Sequence, residues 1–407
     1  MTIELIYFFY MFVSLFFLIL SLLLFVHNRR KMFHVPKLNG KYSLSVLIPA
    51  YNEERTIKET IQHVFNTDYK NLLEVIVIND GSCDNTLRIA KELQKKYKNL
   101  IVLDKKNSGK ANSLNYALKF VKGDFIAIID ADSYPHKDAF SKMMGFFDDE
   151  KIGVVTATCT PLNRNNLLER LQTIEYKVIA FTRKLLEYID SIYVAPGSLS
   201  IYRKTAFLEI GGFDPANMTE DIESTWHILK NGWKVRMCLA ANVTTNVPNK
   251  FRAWWIQRVR WTVGGFQVLK KYFRYMFKHG MFGLFVVPFF AFGLSIGIIG
   301  VGIFLYLFLS KIIQRISIAL YKINSSIPII ESVDLNITPS VLNYFGIVLF
   351  VMFLVFTIFV LYTMKESLFK KEKLWEIVVY MTLYLIIYPF MIIKSVYNWA
   401  KGGTRWR

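Results

Sequence analysis

Cysteine is scarce in this chain. There are three in 407 residues, Cys83, Cys159 and Cys238. They lie too far apart to match a metal-ligand or disulfide spacing, so they read as free thiols of a reducing compartment. Histidine is as thin, six in all, and His63, His136 and His227 show no ligand-like spacing. No GxGxxG and no GxxxxGK[ST] occurs, which leaves a dinucleotide-binding Rossmann site and a P-loop without support. Internal repeats, low-complexity tracts and long flexible linkers are also lacking. Acidic residues are outnumbered, 31 against 50 Lys and Arg, for a formal net charge of +19. Such a charge would suit nucleic acid in a soluble chain, but this chain is 53% hydrophobic and carries long apolar runs. No nucleic-acid partner is expected.

What is abundant is membrane-compatible sequence. Leu5 to Val26 (LIYFFYMFVSLFFLILSLLLFV) is followed by HNRRK. The run is too long for a signal-peptide core and has no small-residue cleavage pattern. As a helix it crosses a hydrocarbon core of about 30 Å. Arg29, Arg30 and Lys31 place its carboxyl end in the cytoplasm. Met281 to Leu309, Val341 to Thr363 and Leu374 to Val396 read as further spans. The expected organisation is an anchor and linker (1–42), a soluble domain (43–245), an interfacial segment (246–280) and a membrane bundle with a basic tail (281–407). That describes a multi-pass protein of the cell membrane with its soluble domain in the cytoplasm. One span before the domain and three after would leave KGGTRWR (401–407) outside, against its charge. Either one late segment lies in the interface or the tail is extracellular. NIT (336–338) fits a glycosylation sequon.

The soluble domain alternates short β-branched runs (44–48, 74–78, 100–103, 125–129) with helix-like stretches near 53–65, 84–97 and 110–121. This alternation predicts an α/β fold with a mainly parallel sheet covered on both faces. Ligands then bind beyond the carboxyl ends of the strands. Those ends carry PAYNEE (49–54), NDGS (79–82) and DADS (130–133). Asp130 and Asp132 share one side of an extended segment and repel each other unless a cation, ligand or proton intervenes. A divalent cation bridging them to a diphosphate answers that repulsion, since Mg²⁺ takes one or two carboxylates plus phosphate oxygens. Lys110, in NSGKANSLNYAL (107–118), stands at a loop-to-helix junction suited to phosphate.

VLIPAYNEE, NDGS, GKANSLNYAL, DADS, GSLSIYRK (197–204), TED (219–221) and QRVRW (257–261) together resemble the membrane-embedded family-2 glycosyltransferases. The resemblance runs over nearly the whole chain, in order. Within that family the Asp, DxD, TED and QxxRW set is similar to the processive synthases of cellulose, hyaluronan, chitin and poly-N-acetylglucosamine. MTEDIESTWHILKNGW (218–233) and QRVRWTVGG (257–265) look most like the last of these. Asn79 departs from the pattern, where many relatives carry a second Asp.

The resemblance implies a GT-A-type domain joined to a transmembrane bundle through interfacial amphipathic helices. It implies a UDP-sugar donor, with UDP-N-acetylglucosamine foremost, a growing polysaccharide acceptor, the lipid bilayer and a small membrane subunit as partners, and Mg²⁺ or Mn²⁺ as cofactor. Tyr51, Glu53 and Asp80 would contact the uridine, with Lys110 near the diphosphate. Asp130 and Asp132 would hold the sugar nucleotide and metal, and Gly197 and Ser198 would line the acceptor site. Glu220 and Asp221 would be catalytic, Asp221 as the base. Gln257, Arg258, Arg260 and Trp261 would close over diphosphate and acceptor.

The residue types suit that chemistry. An acceptor hydroxyl displacing UDP needs a base, and the leaving diphosphate needs neutralising charge. Guanidinium groups supply it through paired donors, and one base opposite the leaving group implies inversion. Other readings stay open: a hyaluronan synthase, a single-addition transferase to a lipid phosphate, and a catalytically silent membrane scaffold or channel with a nucleotide-sensing domain. Asp221 also suits a helix start. FRAWWIQRVRW (251–261) suits an interfacial amphipathic helix. Leu167, Leu171, Ile174, Val178, Phe181 and Leu185 suit a second interface helix or ordinary core packing.

Overall fold

The structure is a computed structural model that describes residues 2–324, 341–364 and 373–401. The NIT triplet and all but the first residue of the basic tail lie outside the described residues. A long first helix, α1 (Thr2–Asn28), leads into the α/β domain. That domain opens with β1 (Leu44–Ala50), α2 (Ile57–Phe65), β2 (Leu72–Asp80), α3 (Thr86–Lys96), β3 (Leu100–Lys105), α4 (Lys110–Ala117) and β4 (Phe125–Ile128). Alternating strand and helix here yields parallel pairing of β1 with β2 and β4, and of β2 with β3.

The second half is built otherwise. It comprises β5 (Ser133–Pro135), α5 (Ala139–Met144), β6 (Ile152–Pro161), α6 (Leu167–Glu187), β7 (Ser200–Arg203), α7 (Lys204–Glu209), α8 (Glu220–Lys230) and β8 (Lys234–Thr245). β7 pairs antiparallel with β4 and β6, β8 parallel with β6, and β5 antiparallel with β8. The sheet is therefore a mixed, eight-stranded one ordered β3-β2-β1-β4-β7-β6-β8-β5. Its first half is the parallel sheet the apolar runs predict, with β1 and β4 buried almost throughout. β1 has β2 on one side and β4 on the other, so the crevice for a ligand opens beyond their carboxyl ends.

Two apolar clusters cover the sheet faces. One gathers Leu47, Ile76 and Ile126 with Phe181, Phe207 and Trp226. The other gathers Val46, Val75 and Phe125 with Phe140 and Phe147. After the domain come α9 (Phe251–Tyr272), α10 (Val287–Asn324), α11 (Val341–Thr363), α12 (Leu374–Val379) and α13 (Leu385–Ala400). Among the described residues, three segments are long and apolar enough to cross a membrane: Phe8–Lys31, Phe282–Gly300 and Leu374–Ala400. The fourth expected span forms α11, whose described apolar part, Ile347–Thr363, is shorter. The second span is shorter than the expected Met281 to Leu309, although the helix that carries it continues past Leu309 to Asn324.

α6 joins the two halves of the molecule. It packs on β6 and β8 and on α11 and α12, so its apolar stripe is met by ordinary packing. Phe181 of α6 stacks near Phe25 of α1 and Phe359 of α11, at 5.8 and 6.2 Å. Between α6 and the late helices lies a buried polar network. The Arg258 guanidinium donates to both oxygens of Glu175, Nε to Oε1 at 3.2 Å and Nη2 to Oε2 at 2.5 Å. The Tyr384 hydroxyl donates to Glu175 Oε2 at 2.7 Å and accepts from Trp254 Nε1 at 2.8 Å. Tyr388 also donates to Glu175. Leu171, Ile174, Val263 and Met391 seal the network in apolar contact.

Removing one partner of a buried ion pair strands the other. Glu175→Ala should therefore cost about 3–5 kcal/mol, read by denaturant unfolding of the full chain in detergent. A loss below about 1 kcal/mol, the range of an exposed pair, would show that Arg258 does not depend on Glu175.

Candidate active site

The crevice beyond β1, β2 and β4 is assembled from loops that bond to one another. Asn52 stands at φ 57°, a left-handed conformation that Asn tolerates. Its Oδ1 accepts from the Cys83 amide at 2.8 Å, and its own amide donates to Ser82 Oγ at 3.0 Å. The Glu53 amide donates to Thr86 Oγ1 at 2.7 Å. PAYNEE and NDGS are thus one unit. Gly81 turns the chain at φ 70°, and a Cβ there would meet the Asn107 amide nitrogen at 2.7 Å. Tyr51 stands half exposed at the rim.

Asp80, at the end of β2, is 4% exposed. It accepts from Lys105 Nζ at 2.5 Å and from the Ser108 and Gly109 amides at 3.0 and 2.8 Å. Burial alone would raise its pKa, but these donors outweigh that and hold it below the ordinary carboxylate range. Both oxygens hold the loop that delivers Lys110. Asp80 therefore positions that loop, and a uridine donor would have to share its oxygens with these groups.

Lys110 opens α4, and its Nζ lies 2.6 Å from Asp130 Oδ1 and 2.8 Å from Glu220 Oε1. A single ammonium thus ties Asp130 of DADS to Glu220 of TED, residues 90 positions apart in the sequence. Burial would lower the lysine pKa, but the two carboxylates raise it. For Glu220, burial works upward and Lys110 outweighs it, so the carboxyl titrates low. Two neighbouring acids receive less help from Lys110. Asp132 is pushed up to about 7 by burial, then by Asp130 and Glu53. Asp221 is pushed up to about 6 by burial, then by Glu220. Lys110 and Arg260 act on Asp221 in the opposite sense without cancelling the rise.

Asp221 occupies the first turn of α8, where an acid favours the helix start. Thr219, not Asp221, is the cap residue. One Asp221 oxygen accepts from the Ile222 amide at 2.9 Å, leaving the other for chemistry. Gly197 closes the floor. Its carbonyl accepts from the Asp130 amide at 2.9 Å, and a Cβ would lie 2.5 Å from Lys110 Nζ and 2.9 Å from Asp130 Oδ1. Ser198, 7% exposed, hydrogen-bonds the Cys159 thiol, a group raised to about 12 chiefly by burial.

The QRVRW residues divide. Arg260 acts electrostatically on Glu220 and Asp221. Arg258 does not face the diphosphate region. It is 2% exposed, bound to Glu175, and its Nη1 donates to Gln257 Oε1 at 2.6 Å. Its guanidinium lies 4.1 Å from the Trp261 ring centroid. This departs from the expectation for Arg258 and Gln257, and the cause is the buried Glu175 carboxylate, which needs a cation. Glu175 and Lys105, which hold Arg258 and Asp80 in place, lie outside the motifs. An acid beside the apolar stripe of α6 is the signal that could have revealed Glu175.

Asp130 and Asp132 suit a divalent cation. Asp132 meets distant hydroxyls, Ser133 and Thr245, each 3.4 Å from its Oδ1. Burial raises its pKa first and the charges of Asp130 and Glu53 add to the rise, a repulsion that a cation relieves.

The sequence profile of the family described as Glycosyltransferase like family 2 matches residues 42–264, and the chain belongs to that family. It is similar to the poly-beta-1,6-N-acetyl-D-glucosamine synthase of Staphylococcus aureus strain COL, 31% identical over 264 residues, 64% of this chain and 63% of that protein. The Staphylococcus epidermidis synthase of the same name is 32% identical over 248 residues, 60% of each chain. The match thus spans less than two thirds of these relatives. Among solved structures, the fold is similar to a mannosyltransferase from Pyrobaculum calidifontis in complex with GDP-Man and Mn²⁺, with a TM-score of 0.52. That match is 20% identical and covers 68% of this chain and 82% of the other.

Gly197→Ala should disable the site without unfolding the sheet. The methyl group would displace Lys110 or Asp130, and a misplacement of about 1 Å can cost on the order of 100-fold in rate. The check is turnover beside thermal stability; near wild-type turnover would show that the close approach is immaterial.

Proposed function

We propose that the chain is an inverting glycosyltransferase that elongates a β-linked polysaccharide from UDP-N-acetylglucosamine. The observation that carries this reading is the convergence of Asp130, Lys110, Glu220 and Asp221 on one crevice. The relatives named poly-beta-1,6-N-acetyl-D-glucosamine synthase support the choice of sugar.

In this reading the acceptor hydroxyl oxygen attacks the anomeric carbon as Asp221 takes its proton, and the bond to the UDP oxygen breaks on the opposite face. The product has an inverted, β configuration. A pKa near 6 suits Asp221 for this task, because the group is ionised at neutral pH yet basic enough to accept a proton. Lys110 and Arg260 supply positive charge to the diphosphate. Asp130 and Asp132 would hold Mg²⁺ or Mn²⁺, which supplies charge neutralisation on the phosphate oxygens when bound. Tyr51 and Glu53 border the nucleoside, and Trp261 offers its ring to the acceptor. Glu220 sets the position of Lys110. Residues 43–245 form the catalytic domain, cytoplasmic and fed with donor there. Segment 246–280 lies at the interface, and the bundle from 281 onward passes the polymer across the cell membrane as it grows.

The test is the purified full chain with a panel of radiolabelled UDP-sugars and Mn²⁺, with products resolved by size. Polymer from UDP-N-acetylglucosamine alone is the expected result, and it should vanish in excess chelator. A requirement for UDP-glucuronate as well would assign hyaluronan, and single-sugar products would remove processive elongation.

Asp221→Asn should lower transfer by about 10²–10⁴-fold, the usual contribution of a general base, with UDP affinity nearly unchanged. As a base must be unprotonated, the wild-type rate should rise with pH through about 6 and level off above it. An Asn variant that still polymerises at the wild-type rate, or a rate that is flat down to pH 4.5, would remove Asp221 from this role.

A further inference from the structure

Arg183 has no part in the catalytic set, and its surroundings are unusual for an arginine. It lies on α6, the helix between sheet and membrane bundle, and its Nε is buried with no hydrogen-bond partner. Charge interactions and the contacts of its partners relate it to three other elements. The first is the end of β6 with Cys159, whose thiol bonds Ser198. The second is the segment leading to Gly197, in which the Ala195 amide donates to Thr225 Oγ1 of α8 at 3.0 Å. That hydroxyl in turn donates to the Asp221 carbonyl at 2.6 Å, which fixes the segment against the base. The third is α10, where Phe290 lies 5.6 Å from the ring of Tyr193 and 5.4 Å from that of Trp226. Charge interactions link the guanidinium to Tyr193, Cys159, Asp221 and Tyr176. Among these only Asp221 is an ordinary anion at neutral pH, and the reaction requires it. Burial lowers the guanidinium pKa, yet an arginine stays charged.

A buried donor without a partner costs about 1–3 kcal/mol, so a charged one at the edge of a working site calls for a ligand. Cys159 bonds Ser198, the neighbour of Gly197, so the region borders the ground an acceptor sugar would take if UDP departs toward Lys110. A guanidinium is donor-only. It therefore favours a carbonyl oxygen and repels a cation. On an N-acetylhexosamine the strongest neutral acceptor is the acetamido carbonyl. Loss of the acetyl group turns the same nitrogen into an ammonium, which donates and carries positive charge.

We propose that Arg183 is the specificity residue of the acceptor subsite, donating to the acetamido carbonyl of the acceptor sugar and excluding its de-N-acetylated form. This rests on the reading of the enzyme as an N-acetylglucosamine transferase. It adds a selection that donor recognition does not make, because it inspects the sugar already joined to the chain.

The experiment uses the full chain in detergent with UDP-N-acetylglucosamine. It compares an N-acetylated glucosamine oligosaccharide with its de-N-acetylated counterpart as acceptor, and reads UDP release, acceptor KM and UDP affinity. Wild type should prefer the N-acetylated acceptor. Arg183→Met should raise its KM about tenfold or more, as expected for a lost charge-assisted bond. It should also erase the preference and leave UDP affinity unchanged. Arg183→Gln, which keeps a donor but no charge, should retain more of the KM and still lose the discrimination against the ammonium. The Gln variant also carries the comparison if Met does not fold. Wild-type KM and preference in a variant that binds UDP normally would overturn the inference alone. Wild-type turnover of another sugar nucleotide, with none of UDP-N-acetylglucosamine, would overturn the functional reading and this inference with it.

Discussion

The ion pair between Arg258 and Glu175 fixes the relation between the catalytic domain and the helices that follow it. A guanidinium and a carboxylate removed from water are tolerated only with near-ideal mutual geometry and further hydrogen bonds. Here Tyr384, Tyr388 and Gln257 provide those bonds. α9 therefore has one rotational setting against α6. At 3.6 residues per turn, a position two residues on points about 200° away. With Arg258 turned into the α6 interface, Arg260 is directed toward Glu220 and Asp221. Trp261, three positions from Arg258, returns to lie against its guanidinium. A structural pair thus sets the direction of a functional one.

Within the crevice the deciding constraint is the sharing of Lys110. Its ammonium engages Asp130 and Glu220 and holds the Glu220 carboxyl low. Asp132 and Asp221, one beside each, are raised by burial first and then by their acidic neighbours, more than Lys110 offsets. The two remaining acids then suit different tasks, one awaiting a cation and the other a proton. Gly197 permits this arrangement, because any side chain there would occupy the space where lysine and aspartate meet.

The parallel half of the sheet was legible in the sequence. Strands buried on both faces read as unbroken apolar runs, and ligand-facing groups collect at their carboxyl ends. Asp130, Asp132 and Lys110 stood out by that placement. The other half was less legible. β5 is three residues long, and β6 and β8 pair across about 80 residues with shifts in register. No local pattern encodes such pairing. Arg258 was misplaced for a different reason. Its basic-aromatic surroundings gave the residue type, whereas its direction depends on a carboxylate that lies 83 positions earlier on α6. Arg183 gave no signal, because a charged residue on an amphipathic helix reads as solvated until its burial is seen.

The sheet changes character at β4, which pairs in parallel with β1 and antiparallel with β7. Tyr51, Glu53, Asp80 and Lys110 hang from the parallel side, and Asp221 and Gly197 hang from the antiparallel side. The two sets meet at the seam, through Lys110 and the Asp130 amide. Such a division makes the molecule modular. Mutations that retune the leaving group fall on one set of loops, and mutations that retune the growing end fall on the other. The seam itself tolerates neither kind, so divergence among related chains should proceed on the flanks and stall at the centre.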